Sequence, residues 1–226
     1  MEDLPGVHPP KQKRSWRTFE GLITAARDLI LERGVEDTTV HDIIARADVG
    51  VGAFYARFDG REALIGYLRE RLWSEATHGW DEFLHPAKWH DAPAHDVVAG
   101  FVRIVVLWND QHGRMQRAFL VNALRHADRA VLRRMSELDN VIADRVTALL
   151  FERADEIGHP RPVTASRVAT LQLLATLRSR SLFAATEPDD DITNEALIGE
   201  LLRAFLSYLE IPFPRETGSG GGPPDV

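Results

Sequence analysis

The sequence predicts an all-α protein, with a three-helix unit of helix-turn-helix layout at the amino terminus and a longer helical domain behind it. Three observations carry that reading. Apolar residues recur at intervals of three and four along nearly the whole chain, no segment alternates with the period of two that marks a strand, and the periodic runs start and stop at residues that cap helices. With 44 % hydrophobic and 27 % charged residues, the 226-residue chain has the balance of a packed core under a solvated surface.

In the first helix, Phe19, Leu22, Ile23, Ala26, Leu29 and Ile30 share one face, and Gly34 stands where a C-terminal cap belongs. The second opens at Thr39, whose hydroxyl can hold backbone amides while Asp42 answers three residues on. Its buried stripe is Val40, Ile43, Ile44 and Ala47. Asp48-Val49-Gly50 interrupts the pattern. A short third helix runs to about Arg57, with Phe54 and Phe58 together on its inner face. Asp59 and Glu62 read as a second capping box, opening a helix that extends to about Phe83, and two prolines make residues 85–95 a loop.

Beyond the loop, Val98, Phe101, Val105 and Trp108 mark a helix expected to break near His112-Gly113, with a shorter helix over Met115 to Arg125. Val131, Met135, Leu138, Ile142, Val146 and Leu149 mark the next, ending near Gly158, Pro160 and Pro162. Two long helices follow, Thr164 to about Ala185 and Ile192 to about Leu209. The acidic Asp189-Asp190-Asp191 run precedes the last of them, where a helix dipole favours negative charge. The expected layout is a flexible basic arm over 1–15, a helix-turn-helix domain over 16–60, a helical domain over 61–211, and a Gly- and Pro-rich disordered tail over 212–226.

The absence of cysteine excludes disulfides and Cys-based zinc sites and suits a reducing compartment. The amino terminus has no basic-then-apolar signal pattern, and no apolar run approaches the ~18–20 residues of a membrane span. A soluble, cytoplasmic protein with no membrane partner is expected. The net charge of −7 argues at first against a nucleic-acid partner, but residues 1–73 carry only −1 of it. Lys11, Lys13, Arg14 and Arg17 fall within seven residues that hold no acid. Only charges within about a Debye length (~8–10 Å) act strongly, so this local arm can contact phosphates; a solvated leader is the alternative. His78, His85, His90 and His95 lie near Asp81, Asp91 and Asp96 at spacings that fit no common metal set, so a solvated loop is expected and no metal. No Gly-x-Ser-x-Gly elbow, P-loop or Gly-x-Gly-x-x-Gly follows a strand, so neither catalytic residues nor a cofactor are expected.

Ala25-Ala26, Gly34, Thr39-Val40-x-Asp42-Ile43, Gly52-Ala53-Phe54-Tyr55-x-x-Phe58 and Arg61-Glu62-Ala63-Leu64 fall at fixed offsets. Through them, residues 17–64 resemble the amino-terminal domain of the TetR family of transcriptional regulators. The resemblance implies that Thr39, Tyr55 and Arg61 contact the DNA backbone and that Val51 and Ala53 face the bases. Helix-turn-helix geometry adds Gly52 at the start of the third helix and Arg57 beside the phosphates, and the free amides at Thr39 and Arg61 can anchor phosphate. Tyr55 beside Phe54 also suits a lid on the small core. Gly50 stands where the family usually has a capping Ser or Thr, Ala53 replaces a commoner Thr, and Arg61 replaces Lys. Gly50-Val51-Gly52-Ala53 offers bases almost no side-chain donors, so readout is expected through thymine methyls, backbone and DNA shape, with Arg57 the nearby polar reader.

One such unit spans too little double-stranded DNA for high specificity, so a homodimer on a palindromic operator is expected. The last two helices are its candidate interface, through Leu171, Leu174, Ile198, Leu201, Leu202 and Phe205, unless both faces are buried within one subunit. Ligand-responsive members of the family enclose a pocket among the middle helices. Here Trp80, Phe101, Trp108 and Phe119 are the candidate wall, with His112 and Asn122 as polar contacts. Such a pocket suits a hydrophobic or aromatic small-molecule effector that releases a repressor from its operator. The competing readings are a DNA-bound scaffold acting through a protein partner and an all-helical enzyme that carries a helix-turn-helix.

Overall fold

The computed structural model describes residues 4–10, 12–183 and 192–213. Lys11, the Asp189–Asp191 run and residues 214–226 lie outside the described residues, as do the side chains of Lys13 and Arg14. Among the described residues the regular elements are eight α-helices: α1 (Lys13–Arg33), α2 (Val40–Ala47), α3 (Val51–Tyr55), α4 (Arg61–Phe83), α5 (Ala94–Arg125), α6 (Arg129–Phe151), α7 (Pro162–Phe183) and α8 (Asn194–Leu209). None is long and apolar enough to cross a membrane.

Local chemistry explains most of the boundaries. Gly34 ends α1 at φ +93°, its amide donating to the Ile30 carbonyl, and Asp48 ends α2 in the left-handed conformation. Pro162 takes the first position of α7, where a missing N–H costs nothing. Thr193 caps α8, its hydroxyl accepting from the Ala196 amide at 3.2 Å.

Two sequence expectations are corrected here. Helix α5 does not break at His112-Gly113; it runs unbroken for 32 residues. Gly113 is buried, and a Cβ there would stand 2.8 Å from the Ser181 hydroxyl of α7, so the glycine serves close helix approach. Its helix-propensity cost of about 1 kcal/mol is overridden by tertiary packing. Asp59 and Glu62 do not form a capping box either. Gly60 is the N-cap of α4 and no side chain caps it; Asp59 is taken by His8 and Glu62 by Arg61.

Two apolar cores form. The amino-terminal one gathers Phe19, Leu22, Ile43, Phe54 and Phe58 with Leu64, Tyr67 and Leu68 of α4, and α5 adds Met115 and Phe119. The domain boundary expected at residue 60 thus falls inside a shared core. The second core centres on α5, which packs on α6, α7 and α8. Part of the expected basic arm is built into the fold. Val7 is buried and bridges Phe58, the His8 amide donates to the Arg57 carbonyl at 2.8 Å, and the Asp59 amide donates to Gly6 at 2.9 Å. Gly6 sits at φ +74°, and a Cβ there would press on Ala63 at 3.1 Å.

Candidate nucleic-acid interface and internal cavity

Helices α2 and α3 are oriented by a reciprocal cap and a buried aromatic pair. The Asp42 amide donates to the Thr39 hydroxyl oxygen at 3.2 Å, and the Asp42 carboxylate accepts from the Thr39 amide and hydroxyl. That hydroxyl bond, with Arg33 at 2.6 Å, holds the Asp42 carboxyl below the usual range. Phe54 and Phe58 are fully buried, and Phe58 stacks on Phe19 at 5.2 Å. Anchoring Phe54 inward turns the opposite side of α3 outward, leaving Val51 60 % and Tyr55 52 % exposed.

The candidate DNA-binding residues separate into two groups. Thr39, Val51, Gly52 and Tyr55 are exposed and Ala53 and Arg57 half-buried on the α2–α3 surface, with the Arg57 guanidinium donating only to the neighbouring Ala56 carbonyl at 3.3 Å. A Cβ at Gly50 or Gly52 would meet nothing within 4 Å, so internal packing does not demand glycine there. Arg61 differs. Its guanidinium donates to the Thr38 carbonyl at 2.6 Å, to the Val35 carbonyl and to Glu62, which commits the side chain to the α1–α2 loop. What Arg61 leaves open is the backbone at the α4 start.

A cavity of about 100 Å³ lies among α4, α5, α6 and α7. Of the six candidate effector residues, Trp80, Trp108 and Phe119 line it. Phe101 is instead core, packed on Trp80 at 6.1 Å and Phe205 at 6.4 Å. His112 stacks on Trp108 at 3.9 Å but does not line the cavity, and burial pushes its pKa below the ordinary value against the opposing influence of Glu75. Asn122 lines a separate open groove between the end of α1 and α5. Sequence reasoning missed Arg69, Trp73, Gln116, Asp139 and Arg178, all of which line the cavity. The signal for Trp73 was available, since it stands one helical turn from Ala76 and two from Trp80.

The interface candidates also divide. Ile198 and Phe205 are buried within the subunit, Phe205 against Phe101, and Leu174 lines the cavity. The reason is that α8 has its most apolar face on α5. Leu171, Leu201 and Leu202 are half-buried. Among the described residues no group of three His, Asp or Glu side chains is arranged to hold a metal ion; His85, His90 and His95 each bond a near neighbour.

The capped helix-turn-helix, with its short helix exposed, is joined through a shared core to a helical domain with an aromatic cavity. Residues 22–68 match the family profile described as bacterial regulatory proteins, tetR family. It is 33 % identical over 73 residues to the uncharacterized HTH-type transcriptional regulator YvdT of Bacillus subtilis, covering 32 % of this chain and 35 % of that protein. It is 32 % identical over 100 residues to the HTH-type transcriptional repressor Rv3405c of Mycobacterium tuberculosis, covering 44 % of this chain and 45 % of that one. The chain thus spans less than half the length of these curated relatives. The fold extends further: a putative TetR-family regulator from Mesorhizobium loti superposes with TM-score 0.61 at 19 % identity, over 87 % of this chain and 98 % of that one.

Proposed function

We propose that this protein is a homodimeric transcriptional regulator that binds a palindromic operator through α2 and α3 and is released by a small molecule held among α4 to α7. The observation that carries the switch is Phe119, which belongs to the amino-terminal core and also lines the cavity. A ligand that moves this ring moves the packing under α1 and α4, and so the helix-turn-helix of each subunit. An effector acts by binding one of two such arrangements better than the other.

The DNA contact is carried by Val51, Gly52 and Ala53 toward the bases and by Tyr55, Arg57, the Thr39 cap and the α4 start toward phosphates. The open space at Gly50 and Gly52 supports a close approach of the α3 backbone to the groove floor. Repression, the name given to the Rv3405c relative, is the direction proposed here. For the dimer, the half-buried Leu171 and Leu201, the latter packed in part on the subunit core, join the exposed Ala175, Ala204 and Tyr208 in a face on α7 and α8 that is only partly covered.

Fluorescence anisotropy with DNA from the protein's own promoter region tests the reading. A salt-sensitive, sequence-specific dimer complex is expected, dissociating when the effector is added. Binding no stronger than to unrelated DNA would remove the regulator assignment.

A further inference from the structure

We infer that the cavity takes a single-ring aromatic carboxylic acid, with the carboxylate at Arg69 and Gln116 and the ring between the tryptophans. This rests on reading the cavity as the effector site. Trp73, Trp80 and Trp108 form the wall, and each is held from behind: the Arg134 guanidinium lies 5.2 Å from the Trp73 ring, Phe101 backs Trp80, and His112 backs Trp108. Aromatic rings so fixed favour a flat apolar occupant. At about 100 Å³ the cavity is smaller than the roughly 150 Å³ that holds benzene, so nothing larger than one ring enters it, and the wall must give way to admit that ring.

The polar lining sets the charge. Arg178 and Asp139 also line the cavity, but they satisfy one another, the guanidinium donating to both carboxylate oxygens at 2.7 Å. Arg69 has no such partner. Its nearest carboxylate oxygen is Asp128 Oδ2 at 3.9 Å, an ion pair beyond hydrogen-bonding distance, while Oδ1 of Asp128 accepts from the amides of Ala130 and Val131 to cap α6. Among the described residues the Gln116 side chain makes no hydrogen bond, and the Asn109 carboxamide is used only as an acceptor, from Ser181 at 2.8 Å. The cavity therefore offers one guanidinium that is only loosely ion-paired and hydrogen-bonded to no carboxylate, and an excess of donors. A carboxylate matches a guanidinium in planar, two-pronged fashion, which a neutral or cationic head cannot do.

Quenching of tryptophan fluorescence in the full-length protein reads occupancy, because three of the chain's five tryptophans line the cavity. Benzoate, benzamide, benzylamine and acetate are the probes. Benzoate is expected to bind roughly tenfold or more tighter than benzamide, as a charge-assisted bond implies, and acetate and benzylamine not to bind measurably. Arg69→Gln should bring the benzoate and benzamide constants together while Arg69→Lys retains part of the gap, with circular dichroism checking that each variant is folded. Gln116→Leu, which alters no charge, provides the second measurement and should also narrow the gap. Benzamide or benzylamine binding as tightly as benzoate would overturn the acid assignment and leave the effector cavity standing. A benzoate preference that survives Arg69→Gln would overturn the role of Arg69. No quenching by any ring probe would overturn both the acid and the cavity.

Discussion

The Arg61 Nε donates to the Thr38 carbonyl across 2.6 Å, joining the first residue of α4 to the residue ahead of the α2 cap. Thr38 is itself fully buried, its hydroxyl donating to the Gly34 carbonyl at 2.8 Å. Arg61 is therefore a staple between α4 and the α1–α2 loop. Arg61→Ala should lower the unfolding free energy by about 1.5–3 kcal/mol, the range for hydrogen bonds from a charged donor. Operator binding should weaken without a change in its salt slope. Denaturant unfolding and salt-titrated anisotropy check both. A slope reduced by about one would return the side chain to a phosphate.

Tyr55 and Arg57 should show the opposite partition. Both lie on the outer side of the α3 turn, and neither holds another element in place. Arg57→Ala should leave stability within about 0.5 kcal/mol, as surface substitutions do, and lower the salt slope by about one. Tyr55→Phe removes only the hydroxyl and keeps the edge contact with Phe54 at 5.3 Å. A several-fold loss of operator affinity in Tyr55→Phe, with unchanged melting, identifies the hydroxyl as a phosphate contact. Unchanged affinity would make Tyr55 a lid on the core.

Arg153 is a stability element. Only 6 % exposed, its guanidinium donates to the carbonyls of Leu149, Trp89 and Ala92, locking the loop between α4 and α5 onto the end of α6. Arg153→Ala leaves the Leu149 and Ala92 carbonyls without this donor, each costing about 1–3 kcal/mol, while the Trp89 carbonyl keeps the Ala92 amide at 3.0 Å. The variant should be destabilised by roughly 3 kcal/mol. Thermal unfolding measures it, and hydrogen exchange should rise first over residues 85–93.

What the sequence made legible was local. The Thr39–Asp42 cap, the inward Phe54 and Phe58, and the Gly34 stop depend on residues within a few positions of one another, and all stand in the structure. The rest required knowing what lies opposite. Gly113 reads as a breaker until Ser181 is seen against it, and Arg153 reads as a surface charge because its partners are backbone carbonyls. Periodicity marked Phe205 as buried but could not say whether Phe101 or a second subunit buries it. In the cavity the aromatic wall was partly legible, whereas Arg69 and Gln116 gain meaning only from the register of α4 against α5.

The divided α8 face yields a paired prediction. Leu201→Glu places a charge on the half-buried outer side and should give a folded monomer with weak operator affinity. Phe205→Glu places it against Phe101 and should unfold the subunit. Light scattering coupled to size exclusion distinguishes them, and a folded Leu201→Glu dimer would move the interface off this face.

His112 should make stability depend on pH. Burial beside Trp108 disfavours the imidazolium, so the folded pKa lies below the ordinary His value of 6.5, with the Glu75 carboxylate opposing the shift. The unfolded chain then binds more protons than the folded one between the two values, and stability in that window rises with pH. The contribution is fully present above about pH 6.5 and is lost as pH falls through the folded value. Melting temperatures from pH 7.5 down to 5 should decline for the native chain, and His112→Phe, which keeps the stack on Trp108, should flatten that limb. An unchanged limb in the variant would assign the acid sensitivity to groups other than His112; the Asp42 carboxyl, held below its ordinary value of 3.8, acts only at lower pH.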